Sequence, residues 1–373
     1  MEFICNIILS LRKIVLTLEV SLCYDREKRS VPVSQIREMQ GNFADKMQKT
    51  EWAAAVSEEK PIAIAYSAHG KIPAMESSAE SWLLFGRGRE NRGETGVKLG
   101  ITETLEHSCP EEWAEKHWKL GCTAVNFPLD CTASPGDIER YRAASAAYGL
   151  TIAEVGADPC RWMAGKGQQE RLLFCKEQLR LAERIQARCC VISTQLGCRW
   201  EGPAHREGFS PSFLRRTAEL LQNILDEVKP VHTSLALVPL PWMLPNSPES
   251  CLELAHMVAR PAFRINLELI QLVNNPRDFL FSTELIERCF DLLETWIAVC
   301  RMGDLQLDTG CPFGMRKVTL GEGGLDLSQY LRRIFQTGQD LPLMVGPMTS
   351  REAYADSLEY LRLLLDSVSD KKW

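Results

Sequence analysis

Four charged side chains stand at or near the ends of short apolar runs: Glu154, Glu268, Arg301 and Asp304. Carboxylates in such positions can move protons to and from a ligand, and a guanidinium group can bind a phosphate or a carboxylate. The alternative for Arg301 is an internal salt bridge with Glu268 or Asp304. These four residues are the candidate catalytic residues of the chain.

An amide and an aromatic side chain accompany these charges. Asn266 shares the apolar run of Glu268, and its amide can orient a ligand through hydrogen bonds. Trp242 can either stack on a ligand ring or pack against the protein itself. The candidate ligand-binding residues are therefore Trp242, Asn266, Glu268 and Arg301.

Histidine is absent from the ends of the apolar runs. The six histidines are His69, His107, His117, His205, His232 and His256. A metal site requires several His, Asp or Glu side chains that converge at bonding distance, and the sequence does not assemble one.

The fourteen cysteines lie in apolar surroundings and form no CxxC pair. This usage favours buried thiols in a reducing compartment over a disulfide framework. Cys300 ends an apolar run without a histidine nearby, so a core thiol is favoured over a nucleophile.

The apolar runs alternate with amphipathic helical segments from residue 97 onward. Serine and proline mark the starts of several helices, as at Ser134-Pro135, Ser210-Pro211 and Ser247-Pro248. The predicted strands are 97–101, 124–127, 150–155, 189–193, 235–238, 263–267, 296–300 and 341–345. Eight βα units within residues 97–366 match the roughly 250 residues of an α/β fold, the (β/α)8 TIM barrel. A doubly wound open sheet is the alternative, but eight consecutive units favour closure.

The run 321–324 is glycine-rich and follows no predicted strand, which favours a βα connection over a phosphate loop.

The first part of the chain differs from the rest. Residues 1–95 show no sustained helix or strand period, so they are predicted to be an N-terminal extension, either poorly ordered or a small appendage, before a barrel at 96–373. Arg12 and Lys13 interrupt its most apolar run, which argues against a membrane span and a signal peptide. We therefore expect a cytoplasmic protein without membrane contact, whose barrel folds without the extension.

The overall charge limits the class of partner. The chain of 373 residues carries 43 Lys and Arg against 49 Asp and Glu, a net charge of −6. This balance gives no electrostatic reason to expect a nucleic acid partner.

Several motifs in the predicted barrel resemble the sugar phosphate isomerase/epimerase family of xylose-isomerase-like TIM barrels. They are the segments 148–157, 179–190, 241–245, 274–277, 321–326 and 352–354. The resemblance covers about residues 97–366 and excludes the extension.

The resemblance implies a divalent metal such as manganese, held by one residue after each of the last four strands. The family uses a glutamate, an aspartate, a histidine and a second glutamate in that order, and the two glutamates also transfer protons. In this sequence the four positions fall on Val238, Glu268, Arg301 and Gly346. Because Glu268 alone can still coordinate a metal, we expect neither a metal nor another cofactor.

Two structural expectations follow from the differences between these four residues and the metal ligands of the family. Glu268 and Arg301 should form an ion pair in the space that a metal would occupy. The strand ends should face a solvent-filled cleft, so that the combined substitutions Val238→Glu, Glu268→Asp, Arg301→His and Gly346→Glu would be tolerated.

Three functional interpretations remain open. The first is a pseudoenzyme that has lost metal-dependent catalysis and binds a sugar-like molecule or supports a partner. The second is an active isomerase, epimerase or carbon-glycoside-cleaving enzyme with an altered, metal-independent site. The third is the product of a degenerating gene. Some relatives that cleave carbon–glycosidic bonds work with a small second subunit, so such a subunit or a homo-oligomer is compatible with the resemblance.

Overall fold

The computed structural model describes residues 97–157, 167–198, 204–348 and 350–369. The extension at 1–95 lies outside the described residues, so its boundary stays a prediction. No helix in the described part of the chain is long and apolar enough to cross a membrane.

Eight parallel strands form one sheet that curves into a barrel. The strands are β1 (Leu99–Ile101), β2 (Ala124–Asn126), β3 (Thr151–Gly156), β4 (Cys189–Ser193), β5 (Ser234–Val238), β6 (Phe263–Glu268), β7 (Ile297–Met302) and β10 (Leu343–Val345). Their order in the sheet is β1-β10-β7-β6-β5-β4-β3-β2. The N–H of Thr123 donates to the carbonyl oxygen of Leu99 at 2.7 Å, which links the first two strands. The predicted (β/α)8 TIM barrel is confirmed.

Helices follow the strands along the chain. They are α1 (Pro110–Lys119), α2 (Pro135–Ala147), α3 (Gln168–Arg184), α4 (Pro211–Val228), α5 (Pro248–Val258), α6 (Pro276–Leu280), α7 (Ser282–Leu293), α8 (Leu327–Gln336) and α9 (Arg351–Ser369). The hydroxyl groups of Ser134, Ser210 and Ser247 accept a backbone N–H in the first turn of α2, α4 and α5. Proline follows each of these serines, so the predicted start signals act as helix caps.

Two apolar layers surround the sheet. Large side chains between strands and helices form the outer core, with Trp113, Phe263, Phe290 and Tyr330 fully buried. The barrel interior is filled by a separate cluster of mostly small side chains: Ala124, Ala153, Cys189, Val191, Ala236, Val238, Ala298, Val299 and Met344. The interior is therefore a packed core, and room for a ligand lies at the barrel ends.

The structure contains two elements that the sequence pattern does not predict. An antiparallel hairpin, β8 (Asp304–Asp308) and β9 (Gly314–Val318), is inserted after the seventh barrel strand, and the short helix α6 precedes α7. Most hairpin side chains beyond Leu305 are at least partly exposed, so no buried apolar alternation marks them. The segment 321–324 connects β9 to α8, so the prediction of a connection is confirmed, whereas the view that no strand precedes it is wrong.

No disulfide joins the cysteines of the described residues, and most of these cysteines are buried. Burial raises the pKa of the Cys300 thiol to about 12. A thiol held in this protonated form is a weak nucleophile, in agreement with the prediction of a core residue.

Candidate functional site

Three strands bring charged side chains to the carboxyl-terminal mouth of the barrel. Glu154 lies near the end of β3, Glu268 ends β6, and Arg301 is the last but one residue of β7. Glu268 pairs with Arg301 in the strand register. The ladder between β6 and β7 shifts register at Ile265 and Asn266, and such irregularities re-aim side chains at a barrel rim.

The guanidinium group of Arg301 lies between the two carboxylates. Its Nε and Nη2 donate to Oε1 and Oε2 of Glu154 at 2.9 and 2.8 Å, and Nη1 donates to Oε2 of Glu268 at 3.2 Å. The expected ion pair between Arg301 and Glu268 is present. The stronger, bidentate pair joins Arg301 to Glu154, whose position 147 residues earlier in the chain gives no local sequence signal for the contact. We call Glu154, Arg301 and Glu268 the ion triad.

The ion triad is almost completely withdrawn from water. Glu154 and Glu268 are 1% and 2% exposed, and the side chain of Arg301 is 17% exposed. Burial opposes the charge on Arg301, but the adjacent carboxylates raise the pKa of its guanidinium above the ordinary value. The mouth therefore contains a permanent cation that is held on two sides.

Amide side chains complete the hydrogen bonds of the triad. Asn266 Nδ2 donates to Oε1 of Glu154 at 2.6 Å, and Gln271 Nε2 donates to Oε1 of Glu268 at 3.1 Å. Lys317, from the hairpin, places Nζ 3.9 Å from the same Glu268 oxygen. Gln271 and Lys317 were not anticipated, because Gln271 follows the strand and Lys317 lies in the unpredicted hairpin.

Two buried amide oxygens in the mouth have no hydrogen-bond partner among the described residues. They are Oδ1 of Asn126 and Oδ1 of Asn266. The Nδ2 atoms of both side chains donate within the protein, to the carbonyl oxygen of Thr102 and to Glu154 respectively. Since a buried acceptor without a donor is costly, these atoms call for hydroxyl groups or water.

A hollow of about 300 Å³ opens at the same end of the barrel, between the loops that follow β1 and β10. Glu103, Lys116, Arg351 and Tyr354 contribute polar groups to its lining. The hydroxyl of Tyr354 donates to Oε2 of Glu103 at 3.4 Å and accepts from the N–H of Met348 at 3.1 Å. The volume of the hollow is at the lower limit of ligand pockets and suits a monosaccharide.

The residues of the mouth do not fit a divalent metal. A guanidinium group has no lone pair to donate and occupies the space between the two carboxylates. Val238 is buried in the apolar cluster of the barrel interior, and Gly346 has no side chain. Across residues 97–157, 167–198, 204–348 and 350–369, no three His, Cys, Asp or Glu side chains lie together as metal ligands would.

The expectation that the strand ends would tolerate new metal ligands is wrong at Gly346. Its backbone has a φ of +119°, and a Cβ there would lie 2.6 Å from Oη of Tyr354 and 2.7 Å from Oγ1 of Thr102. The expected solvent-filled cleft is also absent around Glu154 and Glu268, both of which are buried. New carboxylates would enter a crowded, mostly dry site.

Asp304 serves a different purpose from the ion triad. Its carboxylate accepts backbone N–H groups of Leu305 (2.8 Å), Gly321 (3.1 Å), Gly323 (3.0 Å) and Leu325 (3.2 Å). Burial raises the pKa of Asp304, and the four donors offset part of that shift. The residue therefore fastens the glycine-rich connection onto the start of the hairpin.

Trp242 packs within the protein. It lies against a small apolar cluster made of Cys198, Phe213, Leu240 and Met243. Its Nε1 is buried without an acceptor in the described part of the chain. The structure thus gives Trp242 a packing role and does not bring it into contact with the ion triad.

The side chain of His117 is fully buried under the mouth. Its Nδ1–H donates to the carbonyl oxygen of Trp113 at 2.8 Å, and burial lowers the pKa of the imidazole. His107 contacts the carbonyl oxygen of Leu105 and the hydroxyl of Tyr141. Both side chains have structural partners and lie outside the ion triad.

Comparison with known proteins identifies the barrel. The family model described as "Xylose isomerase-like TIM barrel" matches residues 115–364. No curated protein sequence matches the chain.

Solved structures share the fold at low sequence identity. A xylose isomerase-like TIM barrel protein from Mycobacterium smegmatis in complex with magnesium is 16% identical, with a TM-score of 0.55, over 73% of this chain and 97% of that one. A xylose isomerase domain protein from Planctomyces limnophilus is 16% identical, with a TM-score of 0.56, over 74% and 99%. D-psicose 3-epimerase with D-tagatose, from Clostridium cellulolyticum H10, is 11% identical, with a TM-score of 0.54, over 73% and 99%. Since the family model spans most of the chain and the barrel has the matching topology, the chain belongs to the xylose isomerase-like TIM barrel family.

Proposed function

We propose that this chain binds an uncharged, sugar-like molecule at the mouth of its barrel and has lost the metal-dependent catalysis that its resemblance implies. One observation carries the proposal: the guanidinium group of Arg301 lies between Glu154 and Glu268. Carboxylates that would otherwise be available to a metal or a proton transfer are engaged by a cation that neither coordinates nor exchanges protons near neutral pH.

The charges of the mouth favour an uncharged ligand. Arg301 is paired with both carboxylates, and Lys317 lies within 4 Å of Glu268. These two cations are therefore not available as a pair for a phosphate group. The hollow is lined by two carboxylates and two cations, so its charges balance, and its polar groups favour a molecule that is rich in hydroxyl groups.

Metal content is the first test. Protein purified with excess manganese and magnesium, then dialysed, should contain well below one metal ion per chain by elemental analysis. Arg301→His should gain little metal, because Val238 and Gly346 still supply no ligand. A content near one ion per chain that falls with Glu268→Gln would contradict the proposal.

Ligand binding is the second test. D-tagatose, which the psicose epimerase structure contains, is a suitable uncharged probe. Saturation-transfer NMR should detect its binding, and Glu103→Gln in the hollow should weaken it. The matched control is Glu249→Gln, which removes an acid that pairs with Arg288 on the outer surface. Absence of binding by D-tagatose and related ketoses would contradict the sugar-binding role.

The second candidate function is metal-independent isomerase or epimerase activity. The observation that favours it is the proximity of the half-exposed Lys317 to Glu268, because an ammonium group beside a carboxylate can supply a general acid and a general base. Turnover of a ketose that resists a chelator and disappears with Glu268→Gln or Arg301→Met would establish this function and refute the pseudoenzyme.

A further inference from the structure

A second hollow lies at the opposite end of the barrel, where β6 and β7 begin. It measures about 420 Å³, which is within the range of pockets for small molecules. Its lining residues are Ala259, Arg260, Pro261, Arg264, Thr295 and Trp296. The hollow shares no lining residue with the mouth.

The two arginines of this hollow differ in how their guanidinium groups are used. Arg260 donates from Nε and Nη2 to the two carboxylate oxygens of Asp226, at 2.5 and 2.8 Å. Arg264 donates from Nη1 to the carbonyl oxygens of Pro261 and Phe263, at 2.5 and 2.8 Å. Among the described residues, no acceptor contacts Nε or Nη2 of Arg264. In Arg260 the Nε and Nη2 atoms bind a carboxylate, whereas in Arg264 the same two atoms have no acceptor among the described residues.

Arg264 is also a cation without a carboxylate partner in the described structure. Its side chain is partly buried, and burial together with nearby Arg188 lowers the pKa of its guanidinium. Arg188 precedes β4 at the same end of the barrel and is exposed. Two neighbouring cations attract an anion.

An aromatic side chain lies next to this cation. Trp296 lines the hollow and is partly exposed, and its ring meets that of His256 edge to face at 6.2 Å. Thr295 adds a hydroxyl group at the same place. The hollow thus combines an anion-binding edge with an apolar surface for the rest of a ligand.

We propose that this hollow binds the phosphate group of a small phosphorylated molecule, with Nε and Nη2 of Arg264 on two phosphate oxygens. The remainder of the molecule lies against Trp296. This site is separate from the mouth, so the proposal does not depend on the function proposed for the mouth.

Titration calorimetry of the full chain with inorganic phosphate and phenyl phosphate tests the proposal at constant ionic strength. Both should bind saturably, and phenyl phosphate should bind more tightly because its ring contacts Trp296. Arg264→Gln should weaken both by about tenfold or more, the loss expected for hydrogen bonds to a charged group. Trp296→Leu should remove the advantage of phenyl phosphate and leave the binding of inorganic phosphate.

The matched control is Arg260→Gln, which removes the same charge from the same hollow but from an arginine already held by Asp226. It should leave phosphate affinity within about twofold. If Arg264→Gln fails to fold by circular dichroism, Arg264→Lys decides, because a lysine keeps the charge but loses the two-oxygen contact and should bind phosphate more weakly. The proposal is overturned if neither probe binds saturably, if the decisive Arg264 variant binds like the wild type, or if Arg260→Gln loses as much affinity as that variant.

Discussion

Replacing Arg301 by methionine removes the charge that joins three barrel strands while keeping a side chain of similar length. The change leaves Glu154 and Glu268, which are 1% and 2% exposed, without their common counterion. Neither carboxylate can reach bulk water without opening the mouth. Arg301→Met should therefore destabilise the barrel strongly.

The magnitude follows from the burial of the partners. Breaking a buried ion pair by removing one member costs about 3–5 kcal/mol, because an uncompensated charge stays in the interior. Lys317 is 43% exposed and lies 3.9 Å from Glu268, so it can compensate part of that charge but has no described contact with Glu154. We expect a loss of about 3–4 kcal/mol, a large fraction of the 5–15 kcal/mol typical of a folded domain.

Urea unfolding followed by circular dichroism at neutral pH measures this loss. Lys317→Met is the control for removing a cation near Glu268 and should cost less than about 1 kcal/mol, as exposed pairs do. The triple variant Glu154→Gln, Arg301→Met and Glu268→Gln should recover much of the loss, because it leaves no charge buried.

Two results would refute this reasoning. If Arg301→Met unfolds within about 1 kcal/mol of the wild type, the triad is not a buried electrostatic unit. If the triple variant is as unstable as Arg301→Met, the loss comes from packing and not from the unpaired carboxylates.

Three further predictions concern other parts of the chain. Gly346→Glu should cost at least about 1–3 kcal/mol in urea unfolding, because it puts a side chain at positive φ against Tyr354, whereas equal stability would show that the loop relaxes. The pKa of Glu112 is lowered to about 2, chiefly by a hydrogen bond from a lysine one turn later, so the stability it adds is present above pH 4.5 and lost as pH falls toward 2. The stability of Glu112→Gln should therefore fall less between pH 4.5 and 2 than that of the wild type. An acid unfolding profile identical to that of the wild type would contradict this prediction. Iodoacetamide at pH 8 should label the exposed Cys311 before Cys300, whose buried thiol has a pKa of about 12, as mass spectrometry of the folded protein can show.

The alternation of apolar runs and capped helices was sufficient to predict the barrel. Serine caps and prolines placed the starts of α2, α4 and α5 within a residue, because capping depends on neighbours in the sequence. The hairpin β8–β9 was missed because its partly exposed side chains carry no buried pattern.

The candidate site could be predicted only in part. Glu154, Glu268 and Arg301 were found because they end apolar runs, and the order of the barrel strands puts such ends at one mouth. Asp304 stands in an equivalent sequence position, yet its carboxylate holds the connection between β9 and α8. No local signal separates these two outcomes.

The sequence by itself determined the α/β barrel, the positions of its polar strand ends and the departure of Val238, Arg301 and Gly346 from the ligand types that the resemblance implies. These properties depend on residue type and short-range periodicity, both of which are properties of the local sequence. Only the tertiary structure decided that Arg301 pairs with two carboxylates and that Gly346 leaves no room for a side chain. The first depends on distances between strands far apart in sequence, which the closure of the barrel sets, and the second on the positions of Tyr354 in α9 and Thr102 after β1.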